Sequence, residues 1–238
     1  MSLKNIFIKN WLTYKLYLYY NLYIRHKAHI KRNIYSQWGE DQFIYEFFKN
    51  KKKGFYTDIG SFHPIMYSNT CLLFNSGWSG INIDVNQSSI DMFKIVRPKD
   101  HNICAAVTYK SEERNLYFDH NFSPLNTINK LHYEFSAKGL FFKNLVKKKI
   151  TTKSFEDIAK KIDNLTKIDF LNIDCEGSDY EILKGINLQF YSPELVCIET
   201  HNVNNVKNIE FDDIVELLTK HNYKVIKRFG PSSIFVKS

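Results

Sequence analysis

The sequence predicts an α/β fold in which a mostly parallel sheet is covered by helices on both faces, ends in an antiparallel β-hairpin and is preceded by a helical arm. Three observations carry this expectation. From residue 55 onward, short apolar runs recur with helix-length segments between them, the pattern of parallel strands joined by crossover helices. The C-terminal stretch abandons that alternation for two extended runs around Gly230-Pro231-Ser232, which reads as a hairpin. The first 33 residues differ from both, being aromatic and basic with no Gly or Pro.

The elements follow in order. Between Leu3 and Ile30, the residues Ile6, Phe7, Trp11, Leu12, Tyr14, Leu18, Leu22 and Tyr23 alternate with lysines, as in an aromatic-rich helix. Residues 1–33 are therefore set apart as a helical arm and 34–238 as the main domain. The arm is expected to pack its apolar face on the domain or on a second copy in a homodimer; docking on an anionic membrane surface is the alternative. A helix is predicted over Gly39 to Phe48, ahead of a buried strand over Phe55 to Ile59. Further strands are expected at Gly80 to Asp84, His101 to Ala105, Asp169 to Ile173 and Glu194 to Ile198. A helix from Phe211 to His221 precedes the closing strands, Tyr223 to Arg228 and Ser233 to Lys237. The least regular segment, 118–149, is rich in Asn, Ser, Phe and Lys, and is expected to be an insertion that covers the substrate.

Composition narrows the function. At 238 residues, 44% hydrophobic and 16% aromatic, the chain can bury a large core. The formal charge of +8 would suit a nucleic-acid partner, but of the 33 Lys and Arg, seven lie in residues 1–33, where there is no Asp or Glu. The other 26 basic residues face 25 acidic ones. A nearly neutral body lacks the phosphate-neutralising groove that a nucleic acid requires. The runs Lys51 to Lys53 and Lys147 to Lys149 read as solvated loops. Cys71, Cys104, Cys175 and Cys197 form no CxxC pair, which fits a reducing compartment. No apolar run reaches the roughly 18 residues that span a bilayer, and the N-terminus has no signal cleavage pattern. A cytoplasmic location is expected, with the arm at the inner face of the membrane as the variant reading.

Asp58-Ile59-Gly60-Ser61 ends the first predicted strand, where open α/β sheets bind ligands. Asp84 ends the next one and is placed to accept both hydroxyls of a ribose. Dinucleotide enzymes share this device but need three glycines in G-x-G-x-x-G, and Gly60-Ser61-Phe62-His63-Pro64 lacks two of them. Without that pyrophosphate cradle, a donor with an amino-acid tail and no phosphates fits better.

The blocks Ser36-Gln37-Trp38-Gly39-Glu40-Asp41, Gly54 to Pro64, Ser68-Asn69-Thr70 and Gly77-Trp78-Ser79-Gly80 resemble the FkbM family of methyltransferases. So do Asp84-Val85-Asn86, Ala105-Ala106-Val107, Ile168 to Gly177 and Glu181 to Gly185, in the same order. The chain departs from that family at Gly60-Ser61-Phe62, where Gly-Ala-Asn is common, and at Asp84-Val85-Asn86, where Glu-Pro-Asn is common. The resemblance implies a Rossmann-like class I methyltransferase sandwich with a seven-stranded sheet, and S-adenosylmethionine as the cofactor. It also implies donor contacts from Asp58, Gly60, Ser61, Asp84 and Asp174, with the Ala105 region against adenine. Gln37 and Glu40 are further donor-binding candidates, with helix capping by Ser36 as the competing reading.

Methyl transfer to oxygen needs a base beside the acceptor. His63 follows the donor loop and precedes Pro64, and histidine can accept a proton near neutral pH; a loop histidine bonded to backbone is the alternative. Asp174 and Glu176 leave the fourth strand on one face, and Glu199 and His201 leave the fifth. These four could deprotonate a hydroxyl or anchor a sugar. A divalent cation, Mg²⁺ or Mn²⁺, held by Asp174, Glu176 and Glu199 is another option. The leading expectation is O-methylation of a small-molecule hydroxyl, on a sugar of a bacterial surface polysaccharide or its nucleotide-activated precursor. A different acceptor, through N-methylation or on protein, and a binding module without turnover are the rivals.

Overall fold

The computed structural model describes residues 10–30, 33–138, 146–201 and 210–238. The sheet is formed by β1 (Phe55–Ile59), β2 (Ser79–Asp84), β3 (His101–Cys104), β8 (Phe170–Ile173), β9 (Leu195–Glu199), β10 (Tyr223–Phe229) and β11 (Ser232–Lys237). Their spatial order is β10-β11-β9-β8-β1-β2-β3. Neighbours from β9 across to β3 pair in parallel, and β11 runs antiparallel to both β9 and β10. This is the Rossmann-like methyltransferase layout. The strand order reverses between β1 and β8, and the carboxyl ends of strands at such a reversal are where open α/β sheets bind ligands.

Side chains leave a strand alternately to its two faces, and the core divides accordingly. Ile59, Ile81, Ile83, Leu171, Ile173, Val196, Ile198 and Phe235 are buried on one face. They meet α7 (Phe155–Ala159), α8 (Asp179–Leu183), α9 (Leu188–Tyr191) and α10 (Phe211–Lys220). Tyr56, Phe170, Leu195, Cys197 and Ile234 fill the other face, against α3 (Glu40–Phe47), Phe48, Trp78 and α4 (Cys71–Asn75). The predicted strands lie within one residue of the observed ones at each end. Asp169 falls outside β8 because its carboxylate takes the Phe55 N–H at 2.8 Å and a Lys51 ion pair at 2.7 Å. It clamps the sheet at the end opposite those carboxyl ends.

The arm is helical: α1 (Trp11–Tyr19) continues through a π-helical stretch, Tyr20–Arg25, into α2 (Lys27–Ile30). Its start is capped by Asn10, whose Oδ1 accepts the Leu12 N–H at 3.0 Å, and residues 1–9 lie outside the described ones. Leu18 and Leu22 pack on Met92 of α5 (Gln87–Val96), and the Tyr14 hydroxyl donates to Asp91 at 2.8 Å. No helix among the described residues is long and apolar enough to cross a membrane.

One expectation is corrected. Lys147 to Lys149 do not lie in a loop: they belong to β6 (Val146–Thr151), which pairs antiparallel with β5 (Glu113–Phe118), while the two-residue strands β4 (Val107–Thr108) and β7 (Lys153–Ser154) pair with each other in parallel. Two aromatic rings explain why a lysine run is extended here. Lys147 sits over Tyr117 and Lys148 over Phe118, with the Lys148 ammonium 3.4 Å from the ring centroid; cation–π contact holds the charged strand on its partner. The ribbon bounds the insertion, which also contains α6 (Lys130–Lys138); residues 139–145 lie outside the described ones.

Candidate active site

The loop after β1, the donor-loop candidate, is built on a glycine that its geometry requires. Gly60 has φ +83°, and a Cβ at this position would overlap the carbonyl oxygen of Asp174. The β1 and β8 loops therefore touch at the switch point. Gly60 and Ser61 each donate their N–H to the Ile83 carbonyl, at 2.9 and 3.1 Å, which carries the loop over the end of β2. Asp84 then locks it: one carboxylate oxygen accepts the Phe62 N–H at 2.9 Å and the other the Asn86 N–H at 2.6 Å. Phe62 itself stands at φ +49°. A carboxylate offers about four acceptor positions, so Asp84 retains capacity for a ribose. Burial pushes its pKa up to about 6, and the two backbone donors oppose that rise. Ala105 lies alongside, its N–H on the Asp84 carbonyl at 3.0 Å.

Asp58 has a different place from the one expected. Its carboxylate is buried, with Asn172 donating to one oxygen and Thr70 to the other, both at 2.8 Å. Rather than opening to a donor, it anchors a buried network. Thr70 also accepts from Arg97 at 2.8 Å, and that fully buried guanidinium reaches Ser68, the Pro64 carbonyl and the Tyr56 hydroxyl. Tyr56 in turn donates to Asp100, which also takes Asn82 at 3.0 Å. Arg97 thus ties the segment after the donor loop to the floor of β1. Asp58 is 2% exposed and both of its donors come from this buried network, so its place in the structure is one of positioning.

His63 is corrected as a general base. It is buried, and its Nδ1 accepts two backbone N–H groups, from Ile65 at 3.1 Å and Met66 at 3.0 Å. A neutral imidazole whose Nδ1 accepts must carry its proton on Nε2, so neither nitrogen has a lone pair for an acceptor's proton. Its ring also packs edge-on against His26 of the arm, 5.5 Å between centroids. The histidine shapes the loop before Pro64 and joins it to the arm.

Gln37 is exposed, whereas Glu40 is buried at the first turn of α3 and accepts the Trp38 N–H at 2.9 Å. Ser36 is not the cap of α3: Gly39 holds that position at φ +92° without a side-chain cap, and Ser36 Oγ accepts from Gly39 at 3.0 Å and donates to Asp41 at 2.5 Å. Burial raises the Glu40 pKa despite its hydrogen bonds, and its charge is felt at Asp174. Glu40 thus lies near enough to Asp174 for their charges to interact, whereas Gln37 is exposed.

Beyond β8 and β9, carboxylate oxygens of Asp174, Asp179 and Glu199 lie within 4.8 Å of one another. Asp174 retains exposed surface while neighbouring segments enclose it. That enclosure, reinforced by Glu176, Asp179, Asp58 and Glu40, raises its pKa well above the ordinary carboxylate range. Asp179 is buried, which raises its pKa, and it accepts the N–H groups of Cys175 at 2.9 Å and Gly177 at 3.1 Å. Such a group of oxygens suits a ligand ammonium or a divalent cation. Glu176 and His201, both expected here, stand outside the group. Glu176 turns away at φ +52° toward His132, and His201 is buried against Phe211 with its Nδ1 2.8 Å from Thr200 Oγ1.

A family model for the methyltransferase FkbM domain matches residues 56–225, from β1 into β10. The chain belongs to the FkbM methyltransferase family. No curated protein and no solved structure matches it. The arm lies outside the matched region, as do Gln37 and Glu40.

In this FkbM methyltransferase the insertion is pinned above the β8 loop. Thr127 Oγ1 donates to the Glu176 carbonyl at 3.1 Å, and Asn129 donates to the Gly177 carbonyl. His132 Nε2 lies 3.0 Å from Glu176, an electrostatic contact. Asn126 and Ser123 hold Asn86 from the β2 side. The sequence reading missed Asp179, Thr70, Arg97, Asn129 and His132 as site-builders. Asp179 carried a signal, as an acidic residue after Gly177-Ser178 at a helix start; Arg97, between Lys94 and Lys99 at the end of α5, carried almost none.

Proposed function

We propose that this methyltransferase uses S-adenosylmethionine to methylate a hydroxyl of a small molecule, a sugar of a bacterial surface polysaccharide or its nucleotide-activated precursor. The carrying observation is Asp174, solvent-accessible beyond β8, in contact through its backbone with donor-loop Gly60, and with a raised pKa. A carboxylate of raised basicity is a better proton acceptor for a hydroxyl than an ordinary one.

The residues present suit the donor. Asp84 has acceptor capacity left for ribose hydroxyls, the Asp179 and Glu199 oxygens beside Asp174 suit an ammonium, and the loop lacks a phosphate cradle. S-adenosylmethionine supplies an electrophilic methyl group on sulfonium sulfur, transferred as the carbon–sulfur bond breaks and a carbon–oxygen bond forms. Asp174 accepts the proton lost by the acceptor hydroxyl. The Asn and aromatic side chains of the insertion, among them Asn129 and Tyr133, which stacks on the buried Tyr117 with centroids 4.4 Å apart, favour a sugar, whose hydroxyls need hydrogen bonds and whose ring faces pack on aromatics.

Incubation with methyl-labelled donor and a panel of nucleotide sugars tests the reading. A labelled methyl ether on one sugar is the expected product. Label found only on protein or RNA overturns the acceptor class, and donor binding without any transfer favours a module that binds but does not turn over.

A further inference from the structure

The arm helix is apolar on two faces, and the domain covers one of them. Leu18 and Leu22 are buried on Met92 with Tyr14, Ile95, Val96 and Phe122 around them. On the outward side, Leu12, Leu16 and Ile24 are 57%, 61% and 65% exposed, and Trp11 is 69% exposed. Tyr19, Tyr20 and Tyr23 extend this stripe at helical spacing. A helix that is apolar all round normally lies between two partners, and a contiguous exposed patch of this kind marks an interaction site.

We propose that the outward face of the arm docks on an anionic lipid surface. Charge selects this occupant. Residues 1–33 contain seven Lys and Arg and no acidic residue, while the body is close to neutral. Lys15, Arg25 and Lys27 are exposed along the described helix. Apolar side chains, Trp and Tyr flanked by basic residues are the composition of a helix that lies in the plane of a membrane interface. A second copy of the arm would instead bring two like-charged surfaces together. Docking reaches the cleft through contacts already in place: His26 packs on His63 of the donor loop, and Tyr17 packs edge-on against Phe122 of the insertion, 4.9 Å between centroids. The donor loop and the insertion are thereby held in a set orientation to the lipid plane.

Flotation of the full chain with vesicles of phosphatidylcholine alone, or mixed with phosphatidylglycerol, tests the proposal. The chain is expected to float with the mixed vesicles and to detach as salt rises. Leu16→Glu with Ile24→Glu should abolish flotation. Lys15→Glu with Lys27→Glu should weaken it by roughly 30-fold or more, since each basic residue near an anionic surface contributes about a factor of five. All four residues are exposed, so unchanged thermal melting of both variants confirms that folding is intact. No flotation of the wild type, or equal flotation of wild type and variants, overturns the proposal. So does a wild-type dimer in sedimentation that Leu16→Glu with Ile24→Glu dissociates while vesicles bind neither form, which would assign the face to a second copy.

Discussion

Gly60 and Asp174, more than a hundred residues apart in the chain, meet so closely that the Gly60 α-carbon has room for hydrogen alone beside the Asp174 carbonyl. The contact joins the loop after β1 to the loop after β8. It also explains the glycine twice over, by a left-handed backbone at φ +83° and by the absence of space for a side chain. Gly60→Ala should cost roughly 2–4 kcal/mol, combining the left-handed penalty with an overpacking term. Urea unfolding midpoints measure this, and a stability equal to wild type would show that the two loops yield freely.

Asp84 should impose a pH dependence on donor binding. Its carboxylate, with a pKa pushed up to about 6 by burial, must be ionised to accept ribose hydroxyls fully. Affinity for S-adenosylhomocysteine should hold steady above pH 7 and weaken as pH falls through 6, and Asp84→Asn should flatten the profile. Stability runs the other way. Because the folded state binds this proton more tightly than the unfolded chain does, the contribution of Asp84 is complete below about pH 4 and lost as pH rises through about 6. Calorimetric titration across that window checks the first expectation and thermal melting the second.

Arg97 holds Thr70, Ser68, Pro64 and Tyr56 from a fully buried position. Arg97→Met removes the cation while leaving Asp58 and Asp100 buried nearby, and should cost roughly 3–5 kcal/mol. Arg97→Lys should recover only part of this, because an ammonium cannot reproduce the fork of donors. Chemical denaturation of both variants decides, and full recovery by lysine would reduce the network to a simple charge.

His63 and Asp174 should separate in kinetics. His63→Asn supplies an oxygen near the position of Nδ1, and should retain turnover with an unchanged pH–rate profile. His63→Ala strands two buried N–H groups, and should lower stability by about 1–3 kcal/mol for each. Asp174→Asn should cut the rate constant for methyl transfer by about 10²–10⁴ while the donor still binds. A rate loss in His63→Asn that depends on pH would return the histidine to the chemistry.

The order and type of the elements, the position of the cleft and most of its loops were legible in the chain, because period-two and helical patterns are local. Asp84 and Gly60 were likewise readable from their places at strand ends. The roles of Asp58 and His63 were not. An aspartate at the end of a strand looks the same whether it meets a ligand or, as here, Asn172 from 114 residues away. The state of His63 depends on two backbone N–H groups that converge on Nδ1 only after the loop turns. The Lys147 to Lys149 run looked like a loop because its partners, Tyr117 and Phe118, are distant in sequence.

The sequence by itself determined a doubly wound α/β fold, a loop after the first strand without the glycines of a phosphate cradle and a basic arm set apart from a neutral body. Only the tertiary structure decided which polar groups face the cleft. Asp174, Asp179 and Glu199 converge there, while Asp58, His63 and His201 turn into the protein. The physical reason is that periodicity places a side chain on a face, whereas burial and hydrogen-bond partners, set by segments far apart in the chain, determine what that side chain can do.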